Sequence, residues 1–366
     1  MKVLYDHQMF SIQKYGGISR YFANLFHFLN KQDDVQAAAS ILYTRNHYMQ
    51  NEKHPLPTFL GDWLLKKNKK VYKWNKRFSR RIIKKNDFDI FHPTYYSPYF
   101  LPYLQKPFVL TVHDMIYEIF PEFFLPGDEY INQKRQLIEK AGHIIAISES
   151  TRQDIQRIFK IPAEKISVVY HGFYDDVPGE DSTFTPPHSN YILFVGDRAT
   201  YKNFHRFVQA IAHIFLEDES LHLICTGGGN FKVGELEILY RNGLINRATQ
   251  ISASDQQLKV LYKQALSFVF PSLYEGFGFP LLEAFNSDCP VACSNTSCFK
   301  EVGGDAVIYF DPYDVANMSA AIKELLMNKK LAAELVEKGK KQLSFFTIEK
   351  CVAETKQVYK NLLEIK

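Results

Sequence analysis

Two carboxylates bracket a glycine-containing turn late in the chain. The segment reads Glu275-Gly276-Phe277-Gly278-Phe279-Pro280-Leu281-Leu282-Glu283 and follows a strand-like run at residues 268–270. Pro280 suits the first turn of a helix, and glycines let ligand atoms approach the backbone N–H groups at that positively polarised end. Such a loop can bind a phosphate or a sugar, with Glu283 accepting hydrogen bonds from ribose hydroxyls and Glu275 from hydroxyls of a transferred sugar. A tight turn with two solvated glutamates is the less favoured alternative.

Two cations follow another strand-like run and open a helix. The segment reads Val195-Gly196-Asp197-Arg198-Ala199-Thr200-Tyr201-Lys202-Asn203. A diphosphate needs such charge neutralisation, for which arginine offers a planar fork and lysine a point charge. Because the helix dipole disfavours cations at a helix start, the placement of Arg198 and Lys202 favours an anionic ligand over solvated surface charges.

A glycine pair and a histidine lie in the first half. Gly16 and Gly17 precede the first predicted helix, where the backbone can approach a diphosphate or an acceptor. Neither they nor the glycines at 227–229 have G-x-G-x-x-G spacing, which argues against a dinucleotide-dependent dehydrogenase. His113 falls at the end of a strand-like run, and on its residue type alone a structural buried histidine is favoured over a ligand-binding one.

Alternating strands and helices must position these residues. Strand-like runs at 3–5, 37–43, 90–92, 108–112 and 144–147 alternate with helical patterns at 18–30, 64–84, 128–141 and 149–159, the last opening with Ser148 as a predicted N-cap. Further strand-like runs occur at 191–196, 221–225, 249–251, 268–270 and 290–293. Nearly continuous apolar strands between helices predict parallel sheets covered on both faces, an α/β fold.

The length of 366 residues predicts two domains. We expect a Rossmann-like domain at 1–174, a Pro- and Asp-rich linker at 175–190 and a second Rossmann-like domain at 191–346. A helical tail at 347–366 has no strand after it and is expected to cross back onto the first domain. Ligands of open α/β sheets bind at the carboxyl ends of the strands, so the chemistry is expected in a cleft between the two domains.

Composition narrows the partners and the compartment. The net charge of +4 and the lack of a second basic patch argue against a nucleic-acid partner. Five cysteines form an odd set that fits a reducing cytoplasm, and those at 289, 293 and 298 are interpreted as buried small residues because no histidine lies near them. With no apolar run of 18 residues and no signal peptide, the sequence predicts a cytoplasmic protein.

The charged motifs resemble a known family. The 275–283 segment resembles the E-x7-E region of the family 4 retaining glycosyltransferases (glycosyl transferases group 1), and residues 262–312 resemble that family throughout, including Cys289-Pro290-Val291 and Glu301-Val302-Gly303-Gly304-Asp305-Ala306. The resemblance extends over nearly the whole chain and is weakest between residues 43 and 85. It implies the GT-B fold and transfer of a hexose from a nucleotide-diphosphate sugar to a glycan or a lipid-linked acceptor.

The resemblance also assigns roles to individual residues. Arg198 and Lys202 match the cations that bind the donor diphosphate, and His113 matches a histidine that positions the acceptor or the sugar. Gly16 and Gly17 match the family's glycine pair. The implied reaction retains the anomeric configuration by a front-face route, in which the departing diphosphate oxygen helps to remove the acceptor proton.

No cofactor or catalytic metal is expected. The sequence Asp87-Phe88-Asp89 fits the metal-binding D-x-D pattern, but Asp89 runs directly into a strand where the family commonly has a structural aspartate. The Gly-x-Arg-x-x-Tyr-Lys-Asn variant at 196–203 resembles mannosyltransferases of surface-polysaccharide synthesis. It favours GDP-mannose as the donor, while UDP- and dTDP-sugars stay open.

One segment of the first half is strongly basic. Residues 64–85 hold eleven Lys or Arg among apolar side chains, which suits either an anionic membrane surface or a solvated helix face.

Two other function classes are compared with the transferase. A nucleotide-sugar 2-epimerase would use the same scaffold without an acceptor, but its acid/base pattern is not visible. A non-catalytic nucleotide-sugar-binding module should lack the charged donor-site residues, and all of them are present.

Overall fold

The chain forms two compact units. The computed structural model describes residues 1–125, 127, 129–175, 179–198 and 200–364. The first unit comprises Met1–Gly172 and the end of the chain from Ile348 onward, and the second comprises Phe173–Thr347. The segment 175–190, expected to be a linker, belongs to the second unit. Lys259 pairs with Asp175, and Lys263 pairs with Glu180, so ion pairs hold the described part of this segment on the helix that carries both lysines.

Parallel strands build both units. The strands are β1 Lys2–Tyr5, β2 Gln36–Ala39, β3 Ile90–His92, β4 Val109–Val112, β5 His143–Ala146, β6 Ile166–Val168, β7 Tyr191–Val195, β8 His222–Thr226, β9 Ala248–Ile251, β10 Ser267–Phe270, β11 Val291–Ser294 and β12 Ile308–Phe310. In the first unit the ladders β2-β1-β3 and β4-β5-β6 meet at a parallel bridge between Phe91 and Phe108. The described strands of the second unit form one sheet in the order β12-β11-β10-β7-β8-β9.

Helices cover these sheets. They are α1 Gln8–Ile12, α2 Gly17–Leu29, α3 Thr58–Leu64, α4 Asn68–Lys85, α5 Ile116–Ile119, α6 Glu129–Lys140, α7 Glu149–Phe159, α8 Phe204–Glu217, α9 Val233–Arg241, α10 Asp255–Gln264, α11 Phe279–Asn286, α12 Phe299–Gly303, α13 Val315–Met327, α14 Lys329–Leu343 and α15 Ile348–Glu364. The predicted N-cap is confirmed, because the Ser148 hydroxyl accepts a hydrogen bond from the Thr151 N–H at 3.1 Å. In the part of the chain described, no helix is both long and apolar enough to cross a bilayer.

The last helix packs on the first unit, as the sequence predicted. Its face with Cys351, Val352 and Val358 joins the core that α2 and the first strands form. The Tyr359 hydroxyl lies 2.9 Å from the Tyr5 hydroxyl and 2.6 Å from His92 Nδ1, so α15 closes a buried polar network. The predicted helix extended to Ile365, which lies outside the described residues, as does the predicted helix start at Asp128.

Several predicted boundaries were wrong. The strand expected at 37–43 ends at Ala39, and β6 and β12, both short strands at an edge of their sheets, were not foreseen. The helix expected at 64–84 corresponds to α4 but begins later, at Asn68, and α3, which precedes it at Thr58–Leu64, was not foreseen. Gly61 in α3 lies so close to the Tyr43 ring that a Cβ would be 2.1 Å from it, so α3 packs against Tyr43 through this glycine.

Four buried histidines of the first unit predict a pH dependence of stability. Burial lowers the pKa of His7 to about 4, of His92 and His171 to about 3, and of His113 well below its ordinary value. Their unfolded pKa lies near 6.5, so below that pH the unfolded chain binds protons that the folded chain does not. The stability that these groups contribute is present above about pH 6.5 and is lost as the pH falls toward their folded pKa values.

We therefore expect the free energy of unfolding to fall between pH 7 and pH 5, approaching about 1.4 kcal/mol per pH unit for each such histidine. Urea unfolding at a series of pH values measures this slope. His92→Gln should reduce the slope, whereas the exposed control His205→Gln should not. A slope that both variants leave unchanged would contradict the assignment.

Candidate functional site

Arg198 lies at the end of β7 but points into the protein. Its Nε–H donates to Glu235 Oε2 at 2.9 Å, and its side chain is fully buried. Its terminal nitrogens donate to the carbonyl oxygens of Gly227 at 2.8 Å and Gly229 at 2.7 Å. A further bond reaches the Asn230 carbonyl oxygen at 3.2 Å. Most of the guanidinium N–H groups are therefore bound to protein acceptors rather than presented to a ligand.

This arrangement holds the glycine loop that follows β8 against the turn that follows β7. Gly228 has a φ of +67°, and a Cβ at that position would lie 2.9 Å from the Asp197 Cα. Glycine is required there for both reasons. Glu235 also accepts a hydrogen bond from the Lys232 N–H at the start of α9. Sequence analysis missed Glu235, because nothing local marks a partner 37 residues from Arg198.

Lys202 and Glu275, expected to contact different parts of one ligand, form an ion pair. Lys202 Nζ lies 2.5 Å from Glu275 Oε1, and both side chains are mostly buried. Their loops follow β7 and β10, which are neighbours in the sheet, and the Leu273 N–H donates to the Tyr201 carbonyl at 2.8 Å. A cation and a carboxylate thus stand side by side at the carboxyl end of the second unit's sheet, where open α/β sheets bind ligands.

The loop from Gly276 to Gly278 leads from Glu275 into α11. Gly278 is the N-cap residue of α11 with a φ of +96°, a conformation that favours glycine, and Pro280 lies in the first turn as predicted. The Cys298 thiol donates to the carbonyl oxygens of Phe277 at 2.9 Å and Glu275 at 3.2 Å. Sequence analysis interpreted Cys298 only as a buried small residue and missed this support of the loop.

Glu283 lies on α11 with its carboxylate hydrogen-bonded. The Tyr262 hydroxyl donates to Glu283 Oε2 at 3.1 Å, so the carboxylate is held in one orientation. Tyr262 itself is fully buried at the end of α10. Glu275, the first glutamate of the E-x7-E pattern, pairs instead with Lys202. The two glutamates of the pattern therefore have different partners.

His113 follows β4 in the first unit and is a buried neutral imidazole. Its ring lies parallel to the His171 ring at 5.8 Å and edge-on to Tyr21 at 5.6 Å. Neither ring nitrogen has a hydrogen-bond partner among the described residues. Burial lowers its pKa most, and the neighbouring His171 lowers it further. Neutral at physiological pH, the ring can accept or donate one hydrogen bond at each nitrogen.

Gly16 and Gly17 lie at the start of helix α2, whose Tyr21 ring contacts the His113 ring. Gly16 is the N-cap residue of α2, and its carbonyl accepts hydrogen bonds from the Arg20 N–H and the Ser19 hydroxyl. A Cβ on Gly17 would meet no atom within 4 Å, whereas one on Gly16 would strike the Gln13 side chain. Gly17 therefore leaves open space at the start of α2, as a site for an approaching ligand requires.

The D-x-D aspartates hold the first strand. Asp89 Oδ2 accepts the Lys2 N–H at 2.8 Å, and Asp87 pairs with the Lys2 ammonium at 2.7 Å. Asp89 therefore has the structural role expected of it. Within the described ranges, no group of three or more His, Cys, Asp or Glu side chains is arranged to hold a metal ion.

Solved structures of glycosyltransferases share this fold. Sucrose-phosphate synthase (tll1590) from Thermosynechococcus elongatus matches with a TM-score of 0.75 at 15% identity, covering 100% of both chains. WaaG, a glycosyltransferase involved in lipopolysaccharide biosynthesis, matches with a TM-score of 0.68 at 14% identity, covering 98% of this chain and 99% of that one. The two Rossmann-like units and the returning C-terminal helix are thus a GT-B fold, as predicted.

Sequence relatives define the family. Residues 180–342 match the glycosyl transferases group 1, and residues 15–176 match Glycosyltransferase Family 4. The O-antigen chain mannosyltransferase B of Escherichia coli is 30% identical over 73% of this chain and 74% of its own length. The O-antigen chain mannosyltransferase RfbU of Salmonella typhimurium is 28% identical over 59% of this chain and 60% of its own. The chain belongs to the family 4, group 1 glycosyltransferases and is a hexosyltransferase.

The buried Arg198–Glu235 pair predicts a large loss of stability when one partner is removed. Glu235→Ala leaves the guanidinium buried without a countercharge, so we expect the free energy of unfolding to fall by about 3–5 kcal/mol. Urea unfolding measures the loss. Glu237 on the same helix pairs with Arg241 at the surface, and the matched control Glu237→Ala should change stability little. Equal losses in the two variants would refute a structural role for the buried pair.

Proposed function

We propose that this enzyme transfers mannose from GDP-mannose, with retention of configuration, to a glycan or a lipid-linked acceptor in surface-polysaccharide synthesis. The observation that carries the proposal is the 30% identity to an O-antigen chain mannosyltransferase over 73% of the chain. RfbU, a second relative, is also an O-antigen chain mannosyltransferase. The mannose assignment rests on these relatives and on the Gly-x-Arg-x-x-Tyr-Lys-Asn variant.

The second unit supplies the donor contacts in this proposal. A structural neighbour, Anabaena Alr3699/HepE, has been solved in complex with UDP and glucose, which supports a nucleotide-sugar donor on this fold. Lys202 Nζ is the cation that a diphosphate can reach, because Lys202 is partly exposed whereas the Arg198 guanidinium is enclosed. The N–H groups at the start of α11 add positive potential beside Glu275.

Each charged residue then has one task. Lys202 stabilises the negative charge that grows on the departing diphosphate, and Glu275 accepts hydrogen bonds from hydroxyls of the transferred sugar. Glu283, held by Tyr262, accepts those of the ribose. Arg198 acts through the glycine loop that it holds, and its positive charge adds to the local potential. Positioning and charge stabilisation of this kind provide much of the rate enhancement when phosphate groups leave.

The acceptor proton leaves without a charged base from the first unit. In the front-face route, a diphosphate oxygen takes the proton from the acceptor hydroxyl as the bond to the sugar forms on the same face. His113, neutral because burial lowers its pKa, orients the acceptor or the sugar by a hydrogen bond. We propose that the reaction needs no metal ion. A lipid-linked acceptor would bring residues 64–85 to an anionic membrane surface.

Replacing Lys202 tests the donor site. Lys202→Met removes the charge and keeps the apolar stem, so we expect kcat to fall roughly 100-fold, the size of effect seen when one charge-stabilising donor is lost. Steady-state transfer kinetics and a thermal melt separate the loss of rate from any loss of stability. The exposed Lys300→Met is the matched control and should leave kcat unchanged. A variant with full activity would remove Lys202 from the mechanism.

A donor panel tests the function itself. Purified protein is incubated with GDP-, UDP- and dTDP-sugars, with and without EDTA, and binding and sugar release are followed. We expect GDP-mannose to bind and to be hydrolysed slowly in both conditions. Release from another donor alone would correct the sugar, and loss of activity with EDTA would overturn metal independence. Conversion of the donor to an epimer without an acceptor would replace the transferase by an epimerase.

A further inference from the structure

An apolar stripe on α3 is exposed on the surface of the first unit. Phe59 and Trp63 are 72% and 69% exposed, and Leu60 and Leu64 lie beside them on the same face. The spacings from 59 to 63 and from 60 to 64 are one helical turn, so the four side chains form a continuous strip, the α3 stripe. A contiguous exposed apolar patch of this kind marks an interaction site.

The opposite face of α3 fixes this orientation. Gly61 lies under the Tyr43 ring, and Leu65, just beyond the helix end, is buried. Asp62 accepts hydrogen bonds from the Tyr43 hydroxyl at 2.6 Å and from Arg45 Nε–H at 3.0 Å. α3 is therefore anchored through Gly61, Asp62 and Leu65, and the α3 stripe cannot turn inward without breaking these contacts.

A basic surface continues from the α3 stripe. Exposed lysines and arginines run through the connection and along α4, and we call them the α4 basic face: Lys66, Lys67, Lys69, Lys70, Lys73, Arg77 and Arg81. No Asp or Glu occurs from residue 63 to residue 86. The buried stripe of α4, with Val71, Asn75 and Ile83, packs toward the protein, so the cations face solvent.

Both tryptophans of the chain lie on this surface. Trp63 is on the α3 stripe, and Trp74 is 46% exposed on α4, with the Arg77 guanidinium 5.2 Å from its ring centroid. Tryptophan favours the boundary between headgroups and acyl chains, where its ring is apolar and its N–H stays hydrated. Lysines beside it attract the negative surface of an anionic bilayer.

We infer that α3 is an interfacial anchor that inserts the α3 stripe into an anionic phospholipid bilayer, with the α4 basic face lying on the headgroups. This inference rests on the proposed function in one respect, because a lipid-linked acceptor is presented at such a surface. Single-stranded nucleic acid also binds lysines and stacks on aromatic rings, but it gives no reason for the two leucines of the stripe. Insertion into a bilayer uses all four apolar side chains.

Vesicle binding by the full chain tests the inference. The protein is mixed with phosphatidylcholine vesicles with or without 30 mol% phosphatidylglycerol, and pelleting and tryptophan emission are measured. We expect binding only to the anionic vesicles, weaker at high salt, and with a blue shift of the emission as Trp63 leaves water. The absence of binding to anionic vesicles at low salt would overturn the inference.

Surface variants separate insertion from simple adsorption. Phe59→Ser with Trp63→Ser should weaken binding at least about tenfold, and Lys69→Gln with Lys70→Gln and Lys73→Gln should weaken it similarly. Leu216→Ser with Tyr240→Ser, which replaces exposed apolar side chains of the second unit, is the matched control and should bind normally. Binding that survives loss of Phe59 and Trp63, or that single-stranded RNA abolishes, would contradict insertion.

Slow hydrolysis of GDP-mannose in solution distinguishes failure of the membrane-anchor inference from failure of the proposed function. The stripe variant should hydrolyse the donor at the rate of the unaltered protein, because none of its changes touches the donor residues. Protein that hydrolyses the donor but binds no vesicles would overturn the membrane-anchor inference and leave the transferase proposal standing. Protein that binds vesicles through the α3 stripe but releases no sugar from any donor would overturn the transferase proposal and leave the membrane-anchor inference standing.

Discussion

The ion pair between Lys202 and Glu275 is the interaction on which the proposed donor site of the second unit depends. It joins two loops 73 residues apart, because β7 and β10 are parallel neighbours and both loops leave the same edge of the sheet. Each side chain holds the other in a defined place and offsets its charge. In the proposed donor site, Lys202 would attract a diphosphate and Glu275 would accept hydrogen bonds from sugar hydroxyls, so the pair suits a ligand with an anionic part and a hydroxylated part.

Arg198 and Lys202 have different surroundings at this edge of the sheet, and the difference matches the chemistry of their side chains. The planar guanidinium of Arg198 offers several fixed donors, which suits it to a buried position where a carboxylate and three carbonyl oxygens surround it. The Lys202 ammonium is a point charge on a flexible stem and can shift from Glu275 toward a phosphate. Two cations four positions apart, equivalent in the sequence pattern, therefore have different structural positions and different expected effects when they are replaced.

The sequence predicted most strands in their order, whereas it missed β6, β12 and α3 and could not identify partners distant in the chain. α7 has its predicted ends, because Ser148 is a strong local signal and the apolar period is regular. α3 was not foreseen, and the contacts that hold it, Gly61 against the Tyr43 ring and Asp62 with the Tyr43 hydroxyl, carry no local motif. Glu235 and Cys298, which support the two loops of the donor side, carry no local motif and become recognisable only from their contacts. The roles of the predicted site residues stay predictions.

The first unit holds a buried network of neutral polar groups around its histidines. Its four buried histidines are neutral, and the polar network from Tyr5 through Tyr359 and His92 to Thr111 contains hydroxyls and imidazole rather than charges. Because burial keeps His113 neutral, its ring can donate one hydrogen bond and accept another but carries no charge. In the proposed mechanism, His113 therefore acts through a hydrogen bond and not through a positive charge.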